Sequence, residues 1–174
     1  FRRMPQPQIF AQTGIQFMQI NTLYQLLVMR LANDSSLAAA HTFLTMPDLF
    51  NHWLCGSLAC EFTNATTTQC FDPLSRNWAF PLLQAMGIPL RIFPCVCEPG
   101  TNLGALRPAV AQETGAGSLP VIAPASHDTG SAVAAVPAQN SQFAWLSSGT
   151  WSIMGADVAE PNLTPQPLAS NFTN

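Results

Sequence analysis

Leu23, Leu26, Leu27 and Leu31 recur at the spacing of one helical face, and Asn21 stands where an N-cap belongs, so the pattern predicts a helix from Asn21 onward. Ser36 is placed to cap a second helix running through Leu37, Ala40 and Leu44. Pro47 suits the first turn of a third, which ends near Gly56 and turns Leu49, Phe50, Trp53 and Leu54 inward. Ahead of these, Phe1 to Gln8 is rich in Arg and Pro and reads as loop. Thr63 to Phe71, rich in β-branched and polar residues, reads as strand or irregular chain. Asp72-Pro73 marks a turn, and Trp78 to Met86 reads as helix stopped by Gly87 and Pro89. Pro94, Pro99, Gly100, Gly104 and Pro108 divide the next stretch into short strands and turns.

Beyond the loop Gly115 to Ser118, the apolar residues Leu119, Val121, Ile122 and Ala123 predict a buried strand. Ala132 to Ala135 predicts a tightly packed helix closed by Pro137. Ala138 to Gln142 is polar and reads as a connection. Phe143 to Leu146 and Trp151 to Met154 then frame Ser147-Ser148-Gly149-Thr150 as a β-hairpin, with Phe143 and Trp145 alternating on one strand and Trp151 and Ile153 on the other. A Gly beside hydroxyls in such a turn can offer backbone N–H groups to a phosphate; an ordinary turn is the simpler reading.

Between the buried strand and the small-residue helix lies Ser126-His127-Asp128-Thr129, a carboxylate flanked by an imidazole and a hydroxyl. Polar residues at the carboxyl end of a buried strand occupy the crevice in which open α/β sheets bind ligands. Three readings of this run stand open. Consecutive residues cannot converge as nucleophile, base and orienter, and no G-x-S-x-G elbow is present, so a hydrolytic triad is the weakest. In the second, Asp128 caps a helix by accepting backbone N–H bonds. In the third, Asp128 is a general base that takes a hydroxyl proton during phosphoryl transfer while His127 and Thr129 grip the substrate. The local residues alone put the cap ahead of the base.

Composition removes several classes. Hydrophobic residues make up 48% of the 174 positions, and no uninterrupted apolar run approaches the roughly 20 residues that span a bilayer, so a soluble globular protein is expected. Charged residues are only 9%, the net charge is -3, and basic residues form no cluster, which argues against nucleic acid as a partner. Every one of the six cations is Arg, so this stretch holds no Walker A, kinase β3 or Schiff-base lysine. Cys55, Cys60, Cys70, Cys95 and Cys97 lack both a disulfide-framework pattern and the C-x-x-C spacing of structural zinc; they read mostly as small buried hydrophobes, and no metal site is assigned. The N-glycosylation patterns at Asn33, Asn64, Asn162 and Asn171 read as incidental, with Asn64 starting a turn or capping backbone donors. Phe1 in place of an initiating Met, and the end at Asn174 without a terminating pattern, mark an expected internal segment, not active by itself.

Six stretches, in order, carry a resemblance: Thr13-Gly14-Ile15-Gln16-Phe17, Asn21 to Leu26, Met46-Pro47-Asp48-Leu49, Glu61 to Gln69, Ala125 to Thr129, and Leu146 to Ser152. Together they resemble the middle of the FGGY family of carbohydrate kinases. The S-H-D-T run with S-S-G-T-W-S points to the members that act on L-rhamnulose. The resemblance implies an α/β, actin-like (ribonuclease H-like) fold with two domains around a cleft for ATP and sugar. Residues 1–137 would be the later part of the N-terminal sugar-binding domain, and residues 138–174 the start of the C-terminal ATP-binding domain. It further implies a cytoplasmic enzyme that transfers the γ-phosphoryl group of ATP, with Mg2+, to the 1-hydroxyl of L-rhamnulose. Asp128 would be the catalytic base, His127, Asp128 and Thr129 the sugar contacts, and Thr150 a contact to the ATP phosphates. Other ketoses, such as L-fuculose or D-xylulose, and a non-catalytic sugar-binding role remain the alternatives.

Overall fold

The computed structural model describes residues 3–140 and 143–174. Helix α1 (Gln6–Thr13) replaces the loop expected at the start, because prolines in a first turn give up only N–H groups that a helix leaves unpaired anyway. Phe1 and Arg2, part of that expectation, lie outside the described residues. Helix α2 (Thr22–Leu31) follows the leucine spacing, with Leu23 and Leu26 buried and Leu31 exposed. Asn21 occupies the N-cap position, but its side chain is committed elsewhere: the amide donates to Gln69 Oε1 at 2.9 Å and to Gln16 O at 2.8 Å, and Gln69 donates in turn to Ile15 O at 3.0 Å. The short α3 (Ser35–Ala39) is capped by Asp34, which accepts the Ser36 N–H; it stops before Ala40 and does not reach Leu44.

Helix α4 (Met46–Cys55) has the expected ends, with Gly56 closing it in the left-handed region. Its faces are reversed from expectation. Asp48 and Asn51 are buried, while Phe50 and Trp53 are each 54% exposed. Strand β1 (Cys60–Glu61) runs directly into α5 (Phe62–Thr67), which occupies the stretch expected to be strand or irregular. Strands β2 (Phe71–Asp72) and β3 (Asn77–Trp78) form an antiparallel ladder around the Asp72 turn, and α6 (Phe80–Met86) follows. Strand β4 (Val96–Cys97) returns parallel to β1, pairing Cys60 with Val96 and Glu61 with Cys97.

Strand β5 (Asn102–Ala105), helix α7 (Pro108–Thr114) and strand β6 (Pro120–Ile122) complete the approach to the Asp128 segment, β6 pairing antiparallel with β5. Only Val121 on β6 and the following Ala123 are buried; Leu119 and Ile122 face outward, so this strand is covered on one side. Helix α8 (Asp128–Ala134) starts four residues earlier than the small-residue run predicts, and none of its residues is buried, so the tight packing expected there is absent. Strands β7 (Ala144–Ser148) and β8 (Ser152–Ala156) are the expected hairpin, with Trp151 in the turn instead of on a strand. Gly155 lets the Trp145 ring lie across the partner strand: a Cβ would meet the ring at 2.4 Å and force it to shift. In the polar connection before the hairpin, Ser141 and Gln142 lie outside the described residues. Helix α9 (Pro165–Ala169) follows, and the last residues return to the first turn of the fold, where Asn174 N donates to Gly14 O at 2.9 Å.

The core gathers Ile9, Leu23, Leu82, Leu83, Ile92 and Phe71 around Trp78. Trp78 packs on Phe93 at 4.9 Å and Phe71 at 6.2 Å between ring centroids, and its indole N–H donates to Pro94 O at 2.6 Å. Among the described residues no helix is long and apolar enough to cross a membrane.

Candidate functional site

The run from Ser126 to Thr129 is held from behind by a buried carboxylate. Glu61 is fully buried at the end of β1, at the N-cap of α5. Its Oε1 accepts the Thr63 N–H at 2.8 Å. Its Oε2 accepts the Thr63 hydroxyl at 2.6 Å, the Asn64 N–H at 3.3 Å, and, from far along the chain, the Ser126 N–H at 3.0 Å and hydroxyl at 2.7 Å. Burial pushes the Glu61 pKa up, but the hydrogen bonds from Thr63 and Ser126 outweigh it and hold the group below the usual carboxylate range. Asp48 lies beneath, 1% exposed: Oδ1 accepts the Glu61 N–H at 3.0 Å, while Oδ2 accepts the Thr45 hydroxyl at 2.6 Å and the Thr45 N–H at 3.3 Å, completing a capping box on α4.

Because folding lowers the Glu61 pKa, the stability it contributes is full above its unfolded pKa and is lost as pH falls through the lower folded one. Glu61→Gln should therefore lower the urea midpoint at pH 7, and the gap from the parent should narrow only as pH falls below the ordinary Glu range and through the lower folded value. Urea titrations followed by tryptophan fluorescence across that range check it; a gap that stays constant with pH overturns it.

At the front of this scaffold, Ala123 is fixed by backbone bonds with Gly100 and Thr101, and the His127 N–H donates to Thr63 Oγ1 at 3.1 Å. His127, not Asp128, is the N-cap residue of α8, and its side chain makes no capping bond. Asp128 is the first helical residue. Its carboxylate is 97% exposed, accepts the adjacent Thr129 N–H at 2.7 Å, and lies 3.7 Å from His127 Nε2. An acidic group in the first turn suits the helix dipole, while most of its acceptor capacity faces outward. Thr150 sits exposed at the hairpin tip. The hairpin reaches α8 through β7, where Trp145, Leu146 and Ser147 line a shallow groove with Ala132, Val133 and Val136.

Two of the cysteines border the buried carboxylates: Cys60 hydrogen-bonds Asp48, and Cys97 lies near both Asp48 and Glu61. Cys60 and Cys70 are buried, Cys55 and Cys97 half-buried, and Cys95 exposed, so only part of the set behaves as buried hydrophobes. Burial lifts Cys70 to about 12, and burial with the neighbouring Asp48 and Glu61 carboxylates lifts Cys97 to about 11, leaving both as thiols at neutral pH. Asn64 lies within α5, donating to Thr45 Oγ1 at 3.3 Å, and neither starts a turn nor caps the helix.

Neither Glu61 nor Asp48 was assigned a role from sequence, although Thr45-Met46-Pro47-Asp48 carries the [ST]-x-x-[DE] signature of a capping box, which could have drawn attention to Asp48. Glu61 has no comparable local signal, because its distinguishing partner lies 65 residues away.

A polar segment tied to a buried network at the end of a parallel strand lies where proteins of α/β architecture form their ligand crevice. Residues 2–135 match the N-terminal domain of the FGGY family of carbohydrate kinases, and the chain belongs to that family. A rhamnulokinase from Bacteroides thetaiotaomicron is 44% identical over all 174 residues, and one from Oceanobacillus iheyensis is 39% identical over the same length. The chain spans 36% and 37% of the lengths of these two relatives. The crystal structure of xylulose kinase from Rhodospirillum rubrum superposes with a TM-score of 0.78 at 21% identity, covering 92% of this chain and 33% of that one. The fold is that of the sugar kinases, the actin-like α/β architecture, present here in part.

Proposed function

We propose that the enzyme containing this chain transfers the γ-phosphoryl group of ATP to the 1-hydroxyl of L-rhamnulose. The hydroxyl proton passes to the Asp128 carboxylate, the 1-oxygen forms the new bond to phosphorus, and the bond from phosphorus to the ADP oxygen breaks. His127 and Thr129 contact the ketose beside Asp128, and Thr150 meets the ATP phosphates. Residues 1–137 belong to the sugar-binding domain and 138–174 open the ATP-binding domain, in a cytoplasmic enzyme. Mg2+ belongs to the proposed reaction as the partner of the ATP phosphates.

The observation that carries this reading is the outward-facing Asp128 carboxylate, 97% exposed, on a segment tied to the buried Glu61. A base needs a free lone pair, and the exposed carboxylate of Asp128 is consistent with that need. The choice of sugar rests on the rhamnulokinase relatives. Assaying the full-length enzyme with Mg-ATP against L-rhamnulose, L-fuculose and D-xylulose should give the highest kcat/KM for L-rhamnulose. A clear preference for another ketose would reassign the substrate, and binding of a ketose without turnover of any would make the protein a sugar-binding relative.

A further inference from the structure

We propose that Glu61 is a positioning residue for Asp128, a role that rests on reading Asp128 as the proton acceptor. Glu is a poor choice for an N-cap, where Asp, Asn, Ser and Thr are favoured, and capping α5 requires only that an oxygen reach the Thr63 and Asn64 N–H groups. The additional methylene carries the carboxylate on to Ser126, where Oε2 takes both the N–H at 3.0 Å and the hydroxyl at 2.7 Å. The next N–H, that of His127, is held by Thr63 Oγ1 at 3.1 Å, and the same hydroxyl donates to Glu61 Oε2 at 2.6 Å. The two peptide N–H groups immediately before Asp128 are thus fixed by a single buried carboxylate and its hydroxyl neighbour.

The other contacts of Asp128 within this chain are local. Among the described residues its carboxylate bonds to the adjoining Thr129, through the N–H at 2.7 Å and the hydroxyl at 3.5 Å, and lies 3.7 Å from His127 Nε2; no residue of α8 is buried, and the Ser131 hydroxyl ties the helix back to Ala125 O at the start of the same segment. Its aim is set by the backbone that enters it. That backbone is tied through Glu61 to the Asp48 network in the interior. Displacing a reacting group by about 1 Å costs up to about a hundredfold in rate, so this tie bears on catalysis without touching substrate.

Glu61→Asp separates positioning from capping, because it keeps the charge and the helix cap and gives up the reach to Ser126. In the complete kinase it should lower kcat per folded site by about 10- to 100-fold, with the KM for ATP unchanged and a modest drop in the urea midpoint from the lost Ser126 bonds. Ser126→Ala removes the hydroxyl bond and keeps the N–H bond, so kcat should fall by about three- to tenfold. A purely structural Glu61 would lower the midpoint alone and leave kcat per folded site intact. Folded Glu61→Asp with parental kcat overturns the proposal, and if that variant does not fold, parental kcat in Ser126→Ala does so. Asp128→Asn measured alongside keeps the two readings apart. Normal turnover there removes the base assignment itself, whereas an inactive Asp128→Asn beside fully active Glu61 and Ser126 variants removes only the positioning role.

Discussion

Asp128→Asn in the full-length enzyme is expected to lower sugar phosphorylation about a thousandfold, equivalent to about 4 kcal/mol in the barrier, the middle of the range for losing a general base. The substitution is nearly isosteric, and an amide oxygen still accepts the Thr129 N–H that Asp128 holds at 2.7 Å. What disappears is a group able to take a proton at neutral pH. Since the side chain is 97% exposed and buries nothing, the folded state should change by no more than about 0.5 kcal/mol. ATP affinity, governed elsewhere in the cleft on the proposed reading, should stay at the parental value. Steady-state kinetics paired with equilibrium ATP binding test both halves. Turnover within a few-fold of the parent would overturn the base assignment. Loss of ATP affinity in step with turnover would show that Asp128 acts through the nucleotide.

Where local chemistry decides a boundary, the sequence was readable. The Gly56 stop of α4, the start of α2 after Asn21 and the β7–β8 hairpin all depend on residues close along the chain. The errors arise where distant polar partners overrule local pattern. Thr66, Thr67 and Thr68 look like strand residues, yet each hydroxyl donates to the carbonyl three residues back, at 2.8, 2.8 and 2.6 Å, so a helix of threonines keeps its polar atoms bonded once Glu61 caps it. The reversed face of α4 has the same origin: apolar periodicity turns Phe50 and Trp53 inward, but Asp48 supplies an acceptor to the end of β1 and takes the buried side itself. Asp128 was visible because its neighbours form a recognisable run. Its support was not, because Glu61 and Ser126 are 65 residues apart.

Asp48→Ala is expected to destabilise the protein by about 3 kcal/mol, the sum of a buried N–H left without an acceptor and a lost helix-capping interaction. The orphaned donor is the Glu61 N–H, and the lost cap is the bonding to Thr45 N–H and hydroxyl. The site is 1% exposed, so water cannot enter to replace the acceptor without opening the packing between α4 and β1. Asp48→Asn should recover about half of this loss, because its one carbonyl oxygen can accept from Glu61 or from Thr45 while the NH2 confronts another donor. Urea unfolding of parent and both variants at pH 7 orders them. An alanine variant as stable as the parent would mean that the Glu61 N–H needs no internal acceptor, and the network would then be a consequence of the fold, with no part in maintaining it. If the expected order is found, kinetics on the folded asparagine variant add a second reading: a loosened Asp48 shifts the strand end that carries Glu61, and kcat should fall while KM for ATP holds.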